Sequence, residues 1–185
     1  MTKKPLIVMV LAVLSMVLWT GWAAAEKEPV VGYVAGNVQF SATLTPEDAA
    51  YLGVPAGAPF TLKDIKAPYV LVESFNTACP HCMHQAPVLN QLFQMVQSDA
   101  KLKEKVKFIS AGQGNDETGA QMWKAVQKVP FPVVPDKESK LGKALDFTPY
   151  PVSVLLDKSG KVLWVHIGTF DNAAEALKEI KKVVK

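Results

Sequence analysis

The sequence predicts an α/β fold in which helices cover both faces of a central sheet. Two observations support this prediction. Short apolar segments alternate with amphipathic segments of helical period, and the last two strands join through the tight turn 157–160, whose sequence is DKSG. The chain has 185 residues, of which 49% are hydrophobic and 20% charged, so its composition is that of one ordinary globular domain. Disordered, collagen-like and coiled-coil structures are excluded.

The chain begins with a segment that is typical of exported proteins. Lys3 and Lys4 precede the apolar run 6–19, and small residues follow that permit cleavage after Ala25. We therefore expect a signal peptide over residues 1–25 and a location in the bacterial periplasm, where disulfides persist. The alternative is that the same segment stays uncleaved as an anchor, because it is about long enough to cross a bilayer. Contact with the membrane is expected only in that case.

After the signal, we expect an N-terminal extension over residues 26–57, followed by the main domain over residues 58–185. Within the extension, residues 38–44 partly alternate like a strand. Thr45 and Pro46 are typical of a helix start, with Thr45 as the N-cap and Pro46 in the first helical position.

The main domain divides into strands and helices of ordinary length. Periodicity and turn residues predict, in order, strand 69–75, helix 80–98, strand 106–111, helix 116–129, a short helix 138–145, strands 152–156 and 162–167, and helix 173–184. In the second of these helices, Met122, Trp123 and Val126 recur at helical spacing, which predicts an apolar face.

The chain has only two cysteines, and they are separated by two residues. Cys79 and Cys82 enclose Pro80 and His81, where a predicted strand gives way to a predicted helix that starts at Pro80. The unpaired N–H groups of a helix N-terminus favour an anion, so we expect Cys79 to be a reactive thiolate. Cys82, one turn further along, is placed to attack a mixed disulfide. An imidazolium at His81 would favour the thiolate further and make the disulfide a stronger oxidant.

Two other interpretations of the cysteine pair remain open from the residues alone. A structural disulfide is the first, although a bridge that closes so short a loop restricts the unfolded chain very little. The second is a binding protein that carries copper or haem-related cargo on the two cysteines and a histidine, but the chain has no second cysteine pair. The three histidines are His81, His84 and His166. We treat His84 and His166 as surface or supporting residues, and we expect no metal and no cofactor.

Glu73 is the next candidate, because it lies six residues before Cys79 in a strongly apolar strand. Burying a carboxylate there is costly, and burial raises the pKa of a carboxyl group. Such a group could accept and return the proton of Cys82. The alternative is a glutamate that points to solvent from the edge of the strand.

These residues resemble the thioredoxin superfamily, and the layout is most similar to the TlpA-like periplasmic thiol-disulfide oxidoreductases. The resemblance covers nearly all of residues 58–185 and implies a thioredoxin-like three-layer fold with an N-terminal extension. It rests on the segments 58–62 (APFTL) and 70–75 (VLVESF), Pro87, the segment 131–136 (FPVVPD) and the pair Tyr150-Pro151. It also implies a cis peptide bond before Pro151, and pairing of the Tyr150 backbone with an extended substrate segment near Cys79.

Two departures from the TlpA-like pattern concern the cysteine motif. The sequence CPHC, like a glutamate at position 73, is typical of DsbA-type oxidants, so the direction of electron flow stays open. The 72 residues from Cys79 to Pro151 are too few for the inserted helical domain of DsbA. Ala78 stands where the family usually has tryptophan. A peroxiredoxin is disfavoured, because Asn76 stands where that chemistry uses threonine.

The sequence therefore predicts an exported thiol-disulfide oxidoreductase that acts through a mixed disulfide on Cys79 and a redox-active Cys79–Cys82 disulfide. Its expected partners are exported cysteine-containing proteins and a membrane or periplasmic redox partner. Nucleic acid is not expected, because all 20 basic residues are lysine and the net charge is only +3.

Overall fold

A computed structural model of the chain describes residues 27–40 and 44–185. The expected signal peptide therefore lies outside the described residues. The main sheet has five strands in the order β5-β4-β3-β6-β7. Their bounds are β3 (Tyr69–Phe75), β4 (Val106–Gln113), β5 (Val133–Asp136), β6 (Val152–Asp157) and β7 (Val162–Ile167). Within the described ranges, no helix is long and apolar enough to cross a membrane.

Helices cover both faces of this mixed sheet, which confirms the predicted thioredoxin-like three-layer fold. They are α1 (Pro46–Leu52), α2 (Pro80–Ser98), α3 (Glu117–Val126), α4 (Lys140–Leu145) and α5 (Ala173–Val183). Strand β3 is central and runs parallel to β4 on one side and antiparallel to β6 on the other. Strands β4 and β5 are parallel, and β6 and β7 form the predicted hairpin.

Each face of the sheet has its own hydrophobic core. On one face, the helices α2, α3 and α5 pack on side chains such as Leu71, Phe75 and Leu155. On the other face, α1 and α4 pack on side chains such as Val72 and Val154. Successive side chains of a strand point to opposite faces, so residues 71, 73 and 75 all face the helix that carries the cysteines.

The N-terminal extension contributes to the second core instead of lying apart from it. Thr45 caps α1 as expected, since its hydroxyl accepts a hydrogen bond from the Asp48 amide at 3.1 Å and Pro46 occupies the first turn. Leu44 and Leu52 are buried with the strand residues. The strand expected over 38–44 is confirmed only in part. A short strand β1 (Gln39–Phe40) pairs with β2 (Phe60–Thr61), and residues 41–43 lie outside the described part.

The prediction for α3 is wrong in two respects. The helix is shorter than 116–129, because Asp116 is its N-cap, with a carboxylate that accepts from the Gly119 amide at 3.0 Å. The expected apolar face holds only for Trp123, which is buried and stacks on Phe75 with a centroid distance of 4.5 Å. Met122 and Val126 are 59% and 68% exposed, because the helix contacts the core only along the side that carries Ala120 and Trp123.

Candidate active site

The cysteine pair lies where the central strand meets α2, the longest helix of the described residues. Strand β3 ends at Phe75, a short turn follows, and α2 begins at Pro80, which fits the first helical position because proline lacks an N–H. Cys79 is the N-cap residue. Its Sγ accepts a hydrogen bond from the Cys82 amide at 3.2 Å, as a serine oxygen does in an ordinary cap. The sequence prediction that Cys79 lies at the start of a helix is confirmed.

The two sulfurs are unequal in their access to solvent. Both cysteines are free thiols, but Cys79 keeps 7% of its surface exposed while Cys82 is completely buried. Burial raises the pKa of the Cys82 thiol, and the hydrogen bond with Cys79 raises it further, as does the charge of Glu73. Only Cys79 can therefore meet an external sulfur, and Cys82 needs help to lose its proton.

A proline loop lies directly against the outer sulfur. The Tyr150–Pro151 peptide bond is cis, as the family resemblance implies. The Tyr150 carbonyl oxygen is 3.9 Å from Cys79 Sγ, within the range of a weak thiol hydrogen bond. Pro151 is buried and the Tyr150 side chain is 41% exposed. The Tyr150 residue of this loop is therefore accessible from solvent next to Cys79.

Glu73 is buried beneath the pair, so the solvent-facing alternative is wrong. Its side chain is 2% exposed, and its carboxylate Oε2 accepts a hydrogen bond from the Ser110 hydroxyl at 2.6 Å. The other oxygen, Oε1, is buried without a hydrogen-bond partner among the described residues. Burial raises the pKa of the Glu73 carboxyl to about 7, although the Ser110 hydrogen bond acts in the opposite direction. This carboxyl can change its protonation state near neutral pH.

The histidines of the motif lie at the surface. The side chains of His81 and His84 are exposed, and the His81 contact with Thr169 is made by its backbone carbonyl, at 3.4 Å. The influence of His81 on Cys79 therefore stays a prediction. Within residues 27–40 and 44–185, no group of three or more histidine, cysteine or acidic side chains is arranged to hold a metal ion.

The structure adds a polar network around the turn before Cys79 that sequence reasoning missed. The side chain of Gln113 accepts from the Ser74 hydroxyl at 2.9 Å and donates to the Thr148 carbonyl at 3.1 Å. Asn76 donates to the Gln113 carbonyl at 2.8 Å and accepts from the Ala78 amide at 2.9 Å. These bonds tie β3, β4 and the proline loop together. The signal that could have found them is the change from apolar to amide side chains at the ends of two adjacent parallel strands.

This combination of fold and site defines a class of protein. A helix-capping cysteine with a buried partner, a cis-proline loop against it and a three-layer sheet are the architecture of the thioredoxin-like thiol-disulfide oxidoreductases. The model of the Redoxin family matches residues 44–184. The chain belongs to the Redoxin family.

Two relatives that match this chain in sequence are both thiol-disulfide oxidoreductases named ResA. The chain is 32% identical over 113 residues to the thiol-disulfide oxidoreductase ResA of Bacillus cereus, a match that covers 60% of this chain and 62% of that protein. It is 31% identical over 127 residues to the ResA protein of Bacillus thuringiensis subsp. konkukian, covering 67% of this chain and 70% of the relative. The match thus spans less than two thirds of the length of the first relative.

Solved structures share the fold. StoA from Bacillus subtilis superposes with a TM-score of 0.56 at 21% identity, over 78% of this chain and 96% of that chain. A putative thiol:disulfide interchange protein DsbE from Chlorobium tepidum superposes with a TM-score of 0.61 at 23% identity, over 84% of this chain and 99% of that chain. Both support the thioredoxin-like fold at the level of the backbone.

Proposed function

We propose that the protein is an exported thiol-disulfide oxidoreductase that exchanges its cysteine pair with client proteins through a mixed disulfide on Cys79. The observation that carries this proposal is the inequality of the two sulfurs. Cys79 is the N-cap of α2 with 7% exposure, whereas Cys82 is fully buried within the same turn. A structural bridge has no need for that difference, but a nucleophile and a resolving thiol do.

The exchange proceeds in two displacements. The Cys79 thiolate attacks one sulfur of a client disulfide, that S–S bond breaks, and the second client sulfur leaves as a thiolate that takes a proton from solvent. Cys82 then loses its proton and attacks Cys79 Sγ, which forms the Cys79–Cys82 disulfide and releases the first client sulfur. Two electrons pass from the enzyme to the client. The same steps in reverse oxidise a client dithiol.

Glu73 fits the role of proton acceptor for the second displacement. Glu73 lies on the same face of β3 as Leu71 and Phe75, which pack in one core with Cys82. Its charge contributes to the raised pKa of the Cys82 thiol. Its own pKa of about 7 allows it to accept a proton at neutral pH and to return it. In the first displacement, the amide of Cys82 stabilises the attacking thiolate of Cys79.

The proline loop fits the role of client-binding element. The Tyr150 carbonyl lies against Cys79 Sγ, and an extended client segment could pair with this backbone as a short β-ladder. Clients are exported proteins with cysteines, and a membrane or periplasmic partner restores the pair, in keeping with the expected leader over residues 1–25. Whether the pair oxidises or reduces them depends on its reduction potential relative to that partner.

The experiment measures the rate of thiol-disulfide exchange between the reduced protein and a peptide disulfide. The rate is recorded after rapid mixing under anaerobic conditions. The protein should accelerate exchange, and Cys79→Ser should abolish the acceleration because no nucleophile remains. A matched control is Ser98→Ala, which alters an exposed hydroxyl at the far end of the same helix. Equal rates with the protein and with the Cys79→Ser variant would overturn the proposed function.

A further inference from the structure

A row of polar side chains crosses the sheet beneath the cysteine helix. Glu73 on β3 is in register with Ser110 on β4 and with Ser153 on β6. Ser153 is in turn in register with His166 on β7. Register partners share a face of the sheet, and Glu73 shares its face with Leu71, which packs in the core under α2. The row therefore lies on the side of the active site.

Three polar atoms along this row are buried without a hydrogen-bond partner among the described residues. They are Glu73 Oε1, Ser153 Oγ and His166 Nε2. Unsatisfied polar atoms in a protein interior are costly, and these three lie on three adjacent strands at positions that are in register. Directly opposed side chains on antiparallel strands have Cβ atoms about 5 Å apart, which is within reach of one another after small rotations.

The two ends of the row differ in their exposure to solvent. On the β5 side, Ser110 is in register with Val133, which is apolar and 4% exposed, so the row ends there in the core. On the other side the row ends at His166, which is half-buried on the edge strand β7. Glu73 is 2% exposed and cannot exchange a proton with solvent directly. Along this row, the direction of Ser153 leads from Glu73 to a half-buried residue at the edge of the sheet.

We propose that Ser153 and His166 form the proton route between Glu73 and solvent. This inference rests on the proposed role of Glu73 as proton acceptor for Cys82. The Glu73 carboxyl gives its proton to Ser153 Oγ while the Ser153 hydroxyl hydrogen passes to the buried His166 Nε2, and the imidazolium then releases the proton on its other ring nitrogen, Nδ1, to water. No bond other than O–H and N–H is made or broken, and the charge that leaves Glu73 reappears at His166 and then in solvent.

The groups around the row come from α2, from the neighbouring strands and from the segment that follows β7. Cys82 from α2 faces Glu73, together with Ser110 and Ser153 from the neighbouring strands. His166 contacts the Phe170 ring in a tilted arrangement, at a centroid distance of 4.3 Å, and stacks on Trp164 of its own strand, at 6.0 Å. Gln85 of α2 reaches this region through its Oε1, which accepts from the Phe170 amide at 2.8 Å. In the described part of the chain, neither Glu73 nor His166 takes part in an ion pair.

If the proton route is lost, the rate of the resolving step should depend on the pH at which the reduced protein was kept before mixing. Reduced protein that has been held at about pH 6 carries a protonated Glu73, since its pKa is about 7. If the pH is raised to about 8 at the moment of mixing with a disulfide, Cys82 cannot transfer its proton until Glu73 has released its own. In the native protein the route makes this release fast. Without the route, a delay appears that prior incubation at about pH 8 removes.

The probe is a chromogenic aryl disulfide, which liberates one coloured thiolate when Cys79 attacks and a second when Cys82 resolves the intermediate. In His166→Phe, which keeps an aromatic ring against Phe170, the second phase should slow by about a hundredfold after a pH jump, the lower end of what a lost proton-transfer group costs. The first phase should not change. Preincubation at the higher pH should restore the second phase to the native rate.

Two further variants keep the test decisive. Ser153→Ala interrupts the route at its middle and should show the same delay, and His166→Gln, which stays polar but does not titrate, serves if the phenylalanine variant does not fold. His84→Phe removes an exposed histidine of α2 as the matched control and should show no delay.

The results distinguish a failure of the proton route from a failure of the proposed role of Glu73 as proton acceptor. No delay in either route variant, or a delay that persists after preincubation, overturns the proton route. If Glu73→Gln itself resolves the intermediate as fast as the native protein at both pH values, the role of Glu73 in the proposed function fails instead.

Discussion

Because the Glu73 carboxyl is buried, its contribution to the free energy of unfolding should decrease as the pH rises. An ordinary glutamate has a pKa of 4.5, and burial raises that of Glu73 to about 7. The folded state therefore holds the proton more tightly than the unfolded state. The contribution to stability is fully present below about pH 4.5, is lost as the pH rises from about 4.5 to about 7, and stays lost above.

The size of this effect follows from the pKa difference. Each pKa unit corresponds to about 1.4 kcal/mol, so the rise from 4.5 to about 7 amounts to about 3 kcal/mol in full. Glu73→Gln keeps the shape of the side chain and an oxygen that can accept from Ser110, but it carries no charge at any pH. The variant should therefore gain stability relative to the native protein by roughly 2 to 3 kcal/mol between about pH 5 and pH 8.

The assay is chemical denaturation of the reduced protein at several pH values, with the free energy of unfolding of the variant compared with that of the native protein. A constant offset between the two proteins is expected, because the new amide group meets a site where Glu73 Oε1 already lacks a partner among the described residues. The pH-dependent part is the test. Glu104→Gln removes an exposed carboxylate and should give a difference that stays flat. A flat difference for Glu73→Gln as well would refute the reasoning, because it would mean that burial does not penalise the charge.

Three further predictions concern His81 beside Cys79, the buried carboxylate at the start of α4 and the side chain that binds the proline loop. His81→Ala should make the reduction potential against glutathione more negative, since an imidazolium beside Cys79 favours the reduced form; an unchanged potential would exclude that role. Asp136→Ala should lower the free energy of unfolding by about 1 to 3 kcal/mol, because its buried carboxylate accepts two amides of α4 at 2.7 and 3.0 Å; denaturation with no loss would contradict this. Gln113→Leu should lower kcat/KM for peptide disulfides about tenfold by releasing the loop of Tyr150, and an unchanged kcat/KM would show that the loop holds its place without it.

The sequence was most informative where one physical signal dominates. Strand β3 has the predicted bounds because its apolar run stops at Asn76, and α2 starts at Pro80 because proline is suited to that position. The burial of Glu73 could be anticipated from the cost of placing a charge in that run, but the alternative could be rejected only once β3 proved to be the central strand. A single strand does not tell whether its neighbours cover it.

The position of His166 could not be derived from the sequence. Counting back from the hairpin turn pairs Ser153 with Val165 and leaves His166 on the opposite face of the sheet. A β-bulge between Leu155 and Leu156 shifts the register by one residue, so that Ser153 pairs with His166. One extra residue in the strand thus turns a histidine toward the active-site face. No local signal in the sequence marks that bulge.

Cys79 is proposed to be the nucleophile and Cys82 the resolving thiol, and trapping the mixed disulfide tests this difference most directly. Cys79→Ser and Cys82→Ser variants are exported in bacterial cells, thiols are quenched with acid, and the proteins are separated on non-reducing gels. Cys82→Ser should accumulate reductant-sensitive complexes with exported proteins, because Cys79 can attack but nothing resolves the mixed disulfide. Cys79→Ser should not, because the remaining thiol is fully buried. Complexes from neither variant, or from both to the same extent, would contradict the account.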